Sequence, residues 1–324
     1  MKHSILDISP DNYSKSTLHL QDRDWAETNC YVDVWIELLH SNNLDPLAGL
    51  AFTVCIDFEG DQWTFFKYPL SDLTLLYGID VQELAIWKPL VEHTETQLKI
   101  SQFPLIEFDS KYLPDTAGSS YGESHVKSTV AVNKIDTDKK YLEYFHAQGY
   151  YRLTGSDFDN VFKIDNTDAS VLDPYVEIAK MNVVPPLEGV ELIQQSIAIL
   201  KDKIKLIPRE NPFVKFKHQF EEDLTWLKGE ELSKFHDYSF ATFRQFGACF
   251  ELSANYFQWL ENNGEEGLVE IIECYRAISS KTKIYQFQLA RAMMRNKPID
   301  TSMIDELSQH WQDAVKLIKD KYVN

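Results

Sequence analysis

The hydrophobic pattern passes once along this chain from mixed to almost purely helical spacing, and that change restricts the fold more than any other feature. Between about residues 30 and 163, stretches with helical spacing of apolar residues take turns with alternating ones. From Leu187 onward the spacing is almost entirely helical. Such a chain folds as a mixed α/β part followed by an all-helical part. The stretch between them, Asp165 to Pro186, carries Pro174, Pro185 and Pro186 with little periodicity and reads as a linker. The expected organisation is a polar lead-in over 1–20, an α/β domain over 21–165, a linker over 166–186 and a helical domain over 187–324. At 324 residues, two moderate cores are the expectation.

The clearest element opens at Cys30. Tyr31, Val34, Trp35, Leu38 and Leu39 form one apolar stripe at helical spacing, Thr28 or Asn29 supplies the capping oxygen, and Asp33 sits where the helix dipole favours a negative charge. Leu50 to Phe58 reads as a buried strand, paired with Trp63 to Tyr68 across a turn at Glu59-Gly60-Asp61. Leu70 to Ser101 is expected to be largely helical, and Phe103–Phe108, Val126–Val132 and Tyr150–Leu153 to be strands. Tyr141–Gln148 is ambiguous: Leu142, Tyr144 and His146 alternate like a strand while Tyr141, Tyr144 and Phe145 fit a helical turn, and a strand is preferred. Roughly six helices follow. The first has Val190, Ile193, Ile197 and Leu200 on its apolar side, and the second has Phe213, Phe216, Phe220, Leu224 and Leu227.

Charge and motif content then narrow the chemistry. A formal charge of −18, from 50 acidic against 32 basic residues, repels phosphate backbones and anionic lipid, so neither nucleic acid nor a membrane surface is an expected partner. Residues 1–14 lack the apolar core of a signal peptide, and no stretch approaches 18 consecutive apolar residues. Cys30, Cys55, Cys249 and Cys274 are widely spaced, which suits neither a zinc site nor a disulfide scaffold and points to a reducing cytoplasm. The nine histidines are dispersed and suggest no metal. Phosphate-loop, dinucleotide, nucleophile-elbow and zincin motifs are all absent from the sequence.

A thiol attacks as thiolate, and two devices favour that form: the positive end of a helix, and an imidazole that can take the proton. Cys30 has the first by position. His125 is the candidate for the second, because it opens a strand directly after the Gly/Ser-containing loop 113–124. The same pattern also describes a small core cysteine and a hydrogen-bonded structural histidine.

Resemblance separates these readings. The stretch Glu27-Thr-Asn-Cys-Tyr-Val-Asp-Val-Trp-Ile-Glu-Leu-Leu-His40 resembles the nucleophile helix of the butirosin biosynthesis protein H family. So do the run Phe103-Pro-Leu-Ile-Glu-Phe-Asp109, Tyr112-Leu-Pro114, and His125 with its strand. More closely, the strings at 58–67 (Phe-Glu-Gly-Asp-Gln-Trp-Thr-Phe-Phe-Lys), 113–118 (Leu-Pro-Asp-Thr-Ala-Gly) and 144–150 (Tyr-Phe-His-Ala-Gln-Gly-Tyr) are similar to the bacterial domain-of-unknown-function family 1839. The resemblance covers roughly residues 20–165. It implies an α/β (α+β) papain-like cysteine-protease fold, with the all-α domain appended. It also implies a Cys30/His125 pair that moves an acyl or aminoacyl group from a carrier-protein thioester to a small amine acceptor in a biosynthetic pathway. No cofactor is implied; phosphopantetheine enters only as part of the carrier-protein substrate.

Papain-like enzymes place Asn or Asp on the strand after the histidine to fix its tautomer. His146 stands at that strand-like position here, with Asp157 and Asp115 as rivals, and the sequence leaves the third member open. The backbone N–H of Cys30 would serve an oxyanion, joined by Asn29 or Gln62; Asn29 is equally a simple cap and Gln62 equally a surface residue. Glu59, with Asp61 and Lys67, suits either a charged substrate group or an ordinary hairpin. Lys201, Lys203, Lys205, Arg209, Lys215 and Lys217 gather basic charge that would dock an acidic carrier protein, or simply solvate a helix face. The rival functions are a peptidase or amidase of the same fold and a non-catalytic carrier-protein-binding scaffold with a decayed site.

Overall fold

In a computed structural model the chain is described over residues 2–20, 23–25, 27–164, 172–295 and 297–323. It divides into two compact units, one of Met1–Gln21, Asn29–Pro46 and Leu70–Leu187, the other of Asp22–Thr28, Leu47–Pro69 and Glu188–Asn324. Part of the expected linker, 165–171, lies outside the described residues.

The first unit is an antiparallel sheet flanked by helices. Its strands are β1 (Lys2–Ser4), β2 (Asp80–Glu83), β3 (Gln102–Asp109), β4 (Lys127–Asp136), β5 (Tyr141–His146), β6 (Gly149–Thr154) and β7 (Val176–Lys180), in the order β2-β7-β3-β4-β5-β6. β3 pairs with β4 only up to Ala131, and β1 takes the free edge beyond, from Lys134 to Asp136. β1 falls in the stretch read as a lead-in and β7 in the stretch read as linker. A bulge between Val132 and Lys134 re-aims the far half of β4. The helices are α1 (Cys30–Ser41), α2 (Leu70–Tyr77), α3 (Leu90–Lys99) and α4 (Ser156–Val161).

Alternation assigns the two faces of this sheet. Ile106, Phe108, Val130, Val132 and Tyr144 point into a core shared with Leu90 and Leu98 of α3 and Phe158 and Val161 of α4. The opposite face carries Leu105, Glu107 and Asp109 of β3 in register with Ala131, Thr129 and Lys127 of β4, and it is covered by α1. The stripe expected on α1 is there: Tyr31, Val34, Trp35, Leu38 and Leu39 are all buried. Its cap is Asn29, whose side-chain oxygen accepts the Val32 N–H at 2.9 Å. Gly78, after α2, must be glycine: its φ is +64° and a Cβ would stand 1.9 Å from the Val184 carbonyl oxygen.

In the second unit the described residues hold α5 (Gly189–Ile204), α6 (Pro212–Leu227), α7 (Leu232–Ser239), α8 (Gln245–Asn262), α9 (Val269–Met294) and α10 (Ser302–Tyr322). The α6 stripe is buried as expected. The face of α5 is not the expected one. Val190 is two-thirds exposed, and the buried line is Leu192, Ser196, Ile199, Leu200 and Ile204. A serine sits in that line because its hydroxyl donates to the Ala48 carbonyl at 2.7 Å.

The expected strand at 50–58 is corrected. Pro46–Cys55 is a 3-10 helix, and of the expected hairpin only one bridge, Phe58 to Trp63, forms. A short unbroken apolar run carries no period that separates a buried strand from a buried helix. Trp63 instead anchors the segment, its ring 4.7 Å from that of Phe246 and 5.1 Å from that of Phe213. The span 70–101 is interrupted by β2, so it is helical only at its ends. Among the described residues no helix is long and apolar enough to cross a membrane.

Candidate active site

Cys30 is the first residue of α1, where the opening N–H groups have no intrahelical acceptor and the dipole is positive. The side chain is half-buried, and its thiol lies 3.8 Å from the Thr129 hydroxyl oxygen, to which it donates. Thr129 stands opposite Glu107 in the β3–β4 register, so the thiol is on the same sheet face as Glu107, Asp109 and Lys127. One residue on, Tyr31 donates its hydroxyl to the buried Glu177 at 2.8 Å, which fixes the first turn of α1 against β7.

His125 lies two residues before β4, and its ring is oriented by a carboxylate. Nδ1 is 2.5 Å from Oδ2 of Asp109, the last residue of β3, and Nε2 is 3.4 Å from the Lys111 ammonium. A carboxylate on Nδ1 holds the proton there and leaves Nε2 as the basic nitrogen. The side chain is 65% exposed and lines an open cleft of about 770 Å³. The cleft walls include Glu107, Asp109, Tyr112, Lys127, Asp159 and Tyr175. Lys127 is tied to Glu107 at 2.9 Å.

Cys30 and His125 are not hydrogen-bonded, and Cys30 is not among the cleft's wall residues. Four residues separate Thr129, which touches the thiol, from His125; along extended chain that is about 13 Å. The structure therefore brings both groups to the β3–β4 pair but leaves a gap between them.

The three residues open for the third position go elsewhere. His146 is buried with both ring nitrogens engaged, Nδ1 at 2.5 Å from Asp115 and Nε2 at 2.6 Å from the Ser128 hydroxyl. Asp115 also accepts the Tyr144 hydroxyl at 2.5 Å. Burial, and then that carboxylate, push the Tyr144 phenol well above its usual range. Asp157 accepts the Tyr121 hydroxyl at 3.0 Å. The orienting carboxylate of His125 is Asp109, which sequence reasoning passed over because it precedes the histidine by sixteen residues rather than following it. Its signal was the end of the strand Phe103–Asp109, which can only place residue 109 beside the start of the next strand if the two pair antiparallel.

Asn29 spends its side-chain oxygen on the cap. Glu59 and Gln62 are exposed on a turn of the second unit, closed by the Glu59 N–H donating to the Gln62 carbonyl at 2.7 Å. The basic cluster is partly neutralised by its surroundings. Lys205 meets Asp202 at 2.7 Å, Lys215 meets Asp57 at 2.7 Å and Lys217 meets Asp305 at 2.6 Å, while Lys201, Lys203 and Arg209 stand around the end of α5. Among the described residues no cluster of three or more His, Cys, Asp or Glu is arranged to hold a metal ion.

Comparison with known proteins gives a family. No curated protein matches the chain. Family models for the DUF1839 N-terminal domain and the DUF1839 C-terminal domain match residues 14–181 and 189–320. The boundary between them falls just after β7, and the first match contains Cys30, Asp109, His125 and His146 together. With nearly the whole chain matched, the protein belongs to the DUF1839 family.

Proposed function

We propose that the chain is a cysteine-dependent acyl or aminoacyl transferase of papain-like architecture. One observation carries the reading: a carboxylate-oriented imidazole, Asp109–His125, opens into a cleft at the end of the β3–β4 pair, and the α1 face of that same pair carries a thiol at a helix N-terminus. In the proposed reaction Cys30 attacks the carbonyl carbon of a carrier-protein thioester and its proton passes to Nε2 of His125. The carbon–sulfur bond to phosphopantetheine breaks, and the departing thiol takes that proton. The acyl group now rests on Cys30. A small amine then attacks it and gives its proton to His125; the carbon–sulfur bond to Cys30 breaks, the Cys30 sulfur takes that proton back, and the amide is released. The cleft wall carries both signs of charge, Asp159 and Asp173 together with Lys127 and Lys163.

The step requires the exposed residues before β4 to carry His125 toward Cys30 across a gap of about 13 Å, a movement of the chain and not a turn of the ring alone. The gap between thiol and imidazole equally favours a second reading, a carrier-protein-binding scaffold whose thiol is inert. Iodoacetamide separates the two. In the first reading Cys30 is alkylated rapidly below about pH 7.5, and both His125→Ala and Asp109→Asn slow it. Reaction of Cys30 only near the ordinary thiol value of about 8.5, indifferent to both substitutions, leaves the scaffold.

The carrier protein itself would dock by charge. Reversing Lys203, Lys205 and Lys217 to glutamate is expected to raise KM for an acyl carrier protein several-fold while leaving kcat unchanged. An unaltered KM removes this docking face, and the existing partners Asp202 and Asp305 make that the sharper test.

A further inference from the structure

On the sheet face away from α1, alternation along β4 and β5 brings Ser128 and His146 to the same side as Val130 and Tyr144. His146 is 4% exposed, so each of its ring nitrogens needs a partner. Asp115 takes Nδ1 at 2.5 Å, and its other oxygen is held by the Tyr144 hydroxyl at 2.5 Å. The carboxylate is thus oriented at both ends and fixes the proton of His146 on Nδ1. Nε2 is left as an acceptor, and the hydroxyl that donates to it, at 2.6 Å, is that of Ser128. A hydroxyl, an imidazole and a carboxylate joined in this order, with the imidazole's tautomer fixed, form a nucleophile–base–orienter relay, which is recognised by geometry and not by sequence motif.

Access separates such a relay from a purely internal hydrogen-bond network. Asp115 and His146 are buried side chains, but Ser128 is only half-buried. Phe108, its cross-strand partner, and Val126, two residues earlier on the same face, both line the 770 Å³ cleft, as does Val161. Cross-strand neighbours stand about 5 Å apart, so Ser128 is adjacent to two residues of the cleft wall without itself lining it.

We infer that Ser128, His146 and Asp115 form a second acyl-accepting site, distinct from Cys30, for small esters with an apolar acyl chain. Ser128 Oγ attacks the ester carbonyl carbon and its proton passes to Nε2 of His146. The bond to the alcohol oxygen breaks, and the alcohol leaves with that proton. Water then attacks the seryl ester, gives a proton to His146, and releases the carboxylic acid; the proton returns to Ser128. Asp115 takes no proton and acts as a positioning residue through His146.

The test is labelling of the full chain with an alkyl fluorophosphonate, located by peptide mass spectrometry, together with hydrolysis of p-nitrophenyl acetate. One label per chain on Ser128 is expected, undiminished in Cys30→Ala and absent in Ser128→Ala, a change small enough to leave the circular dichroism spectrum intact. Asp115→Asn should slow labelling by about 10²-fold or more and alter its pH profile, because the imidazole would then adopt the wrong tautomer. A folded wild-type chain that takes no label on Ser128 overturns the inference and leaves the three residues as an internal network. Because iodoacetamide reports on Cys30 and the fluorophosphonate on Ser128, each reading fails separately.

Discussion

Cys30→Ala is expected to lower acyl transfer from a carrier-protein thioester by at least about 10³-fold, since removing a nucleophile leaves only binding and electrostatic stabilisation of the transition state. The same change should cost little stability. The thiol is half-buried, donates one long hydrogen bond to Thr129, and contributes neither to the α1 cap, which is Asn29, nor to the buried stripe that begins at Tyr31. A loss of about 1 kcal/mol is the scale for removing one such sulfur. Mass spectrometry of the chain incubated with a loaded carrier protein should show one added acyl group in the wild type and none in the variant. An acylated Cys30→Ala chain that still transfers would end the assignment of Cys30. If the label sat on Ser128, the second site would be carrying the reaction instead.

How far the sequence reveals these groups depends on whether each is fixed by local or by distant structure. The helix at Cys30 is legible because cap, stripe and dipole-favoured Asp33 all fall within twelve residues and agree. The strand at 103–108 is legible because its apolar residues mark it, whereas 141–148 also fits a helical turn and becomes a strand, over Tyr141–His146, by pairing in the sheet. The segment 50–58 has no such period, and the helix there is held by contacts with the helices of its own unit: Ser196 and Cys249 donate to the Ala48 and Thr53 carbonyls, and Cys55 donates to the Lys203 carbonyl. Partner choice in the site is less legible still. Asp109 meets His125 through strand pairing, and His146 meets Asp115 across thirty-one positions of chain. The sequence contains all four side chains, but the register of β3 with β4, and the turn Pro114–Thr116 folded beside β5, decide which imidazole receives which carboxylate.

Glu37→Ala is expected to destabilise the first unit by about 3–5 kcal/mol, the scale for stranding one partner of a buried ion pair. Glu37 lies on α1 with no exposed surface, and its carboxylate ties down the segment before the helix. It accepts the Tyr13 hydroxyl at 2.5 Å and the Ser16 N–H at 3.1 and 3.2 Å, and it meets Nδ1 of His19. Nε2 of His19 is 3.1 Å from Asp33, one turn earlier on α1. Burial alone would lower the His19 pKa, but hydrogen bonds to Asp33 and Glu37 outweigh it and hold the value above the usual 6.5. The sign of the pH dependence follows. Below about pH 6.5 both folded and unfolded chains keep the imidazole proton, and the ion cluster contributes fully. Above it the unfolded chain releases the proton while the folded chain retains it, so stability falls as pH rises, by at most about 1.4 kcal/mol per pH unit, until the folded pKa is passed. Urea midpoints measured between pH 6 and 9 should therefore decline in the wild type. His19→Gln should flatten that decline, and Glu37→Ala should shift the whole series downward. A wild-type midpoint that rises or stays level over this range, or a Glu37→Ala chain of unchanged midpoint, would show that the buried trio does not anchor the N-terminal segment to the helix that carries Cys30.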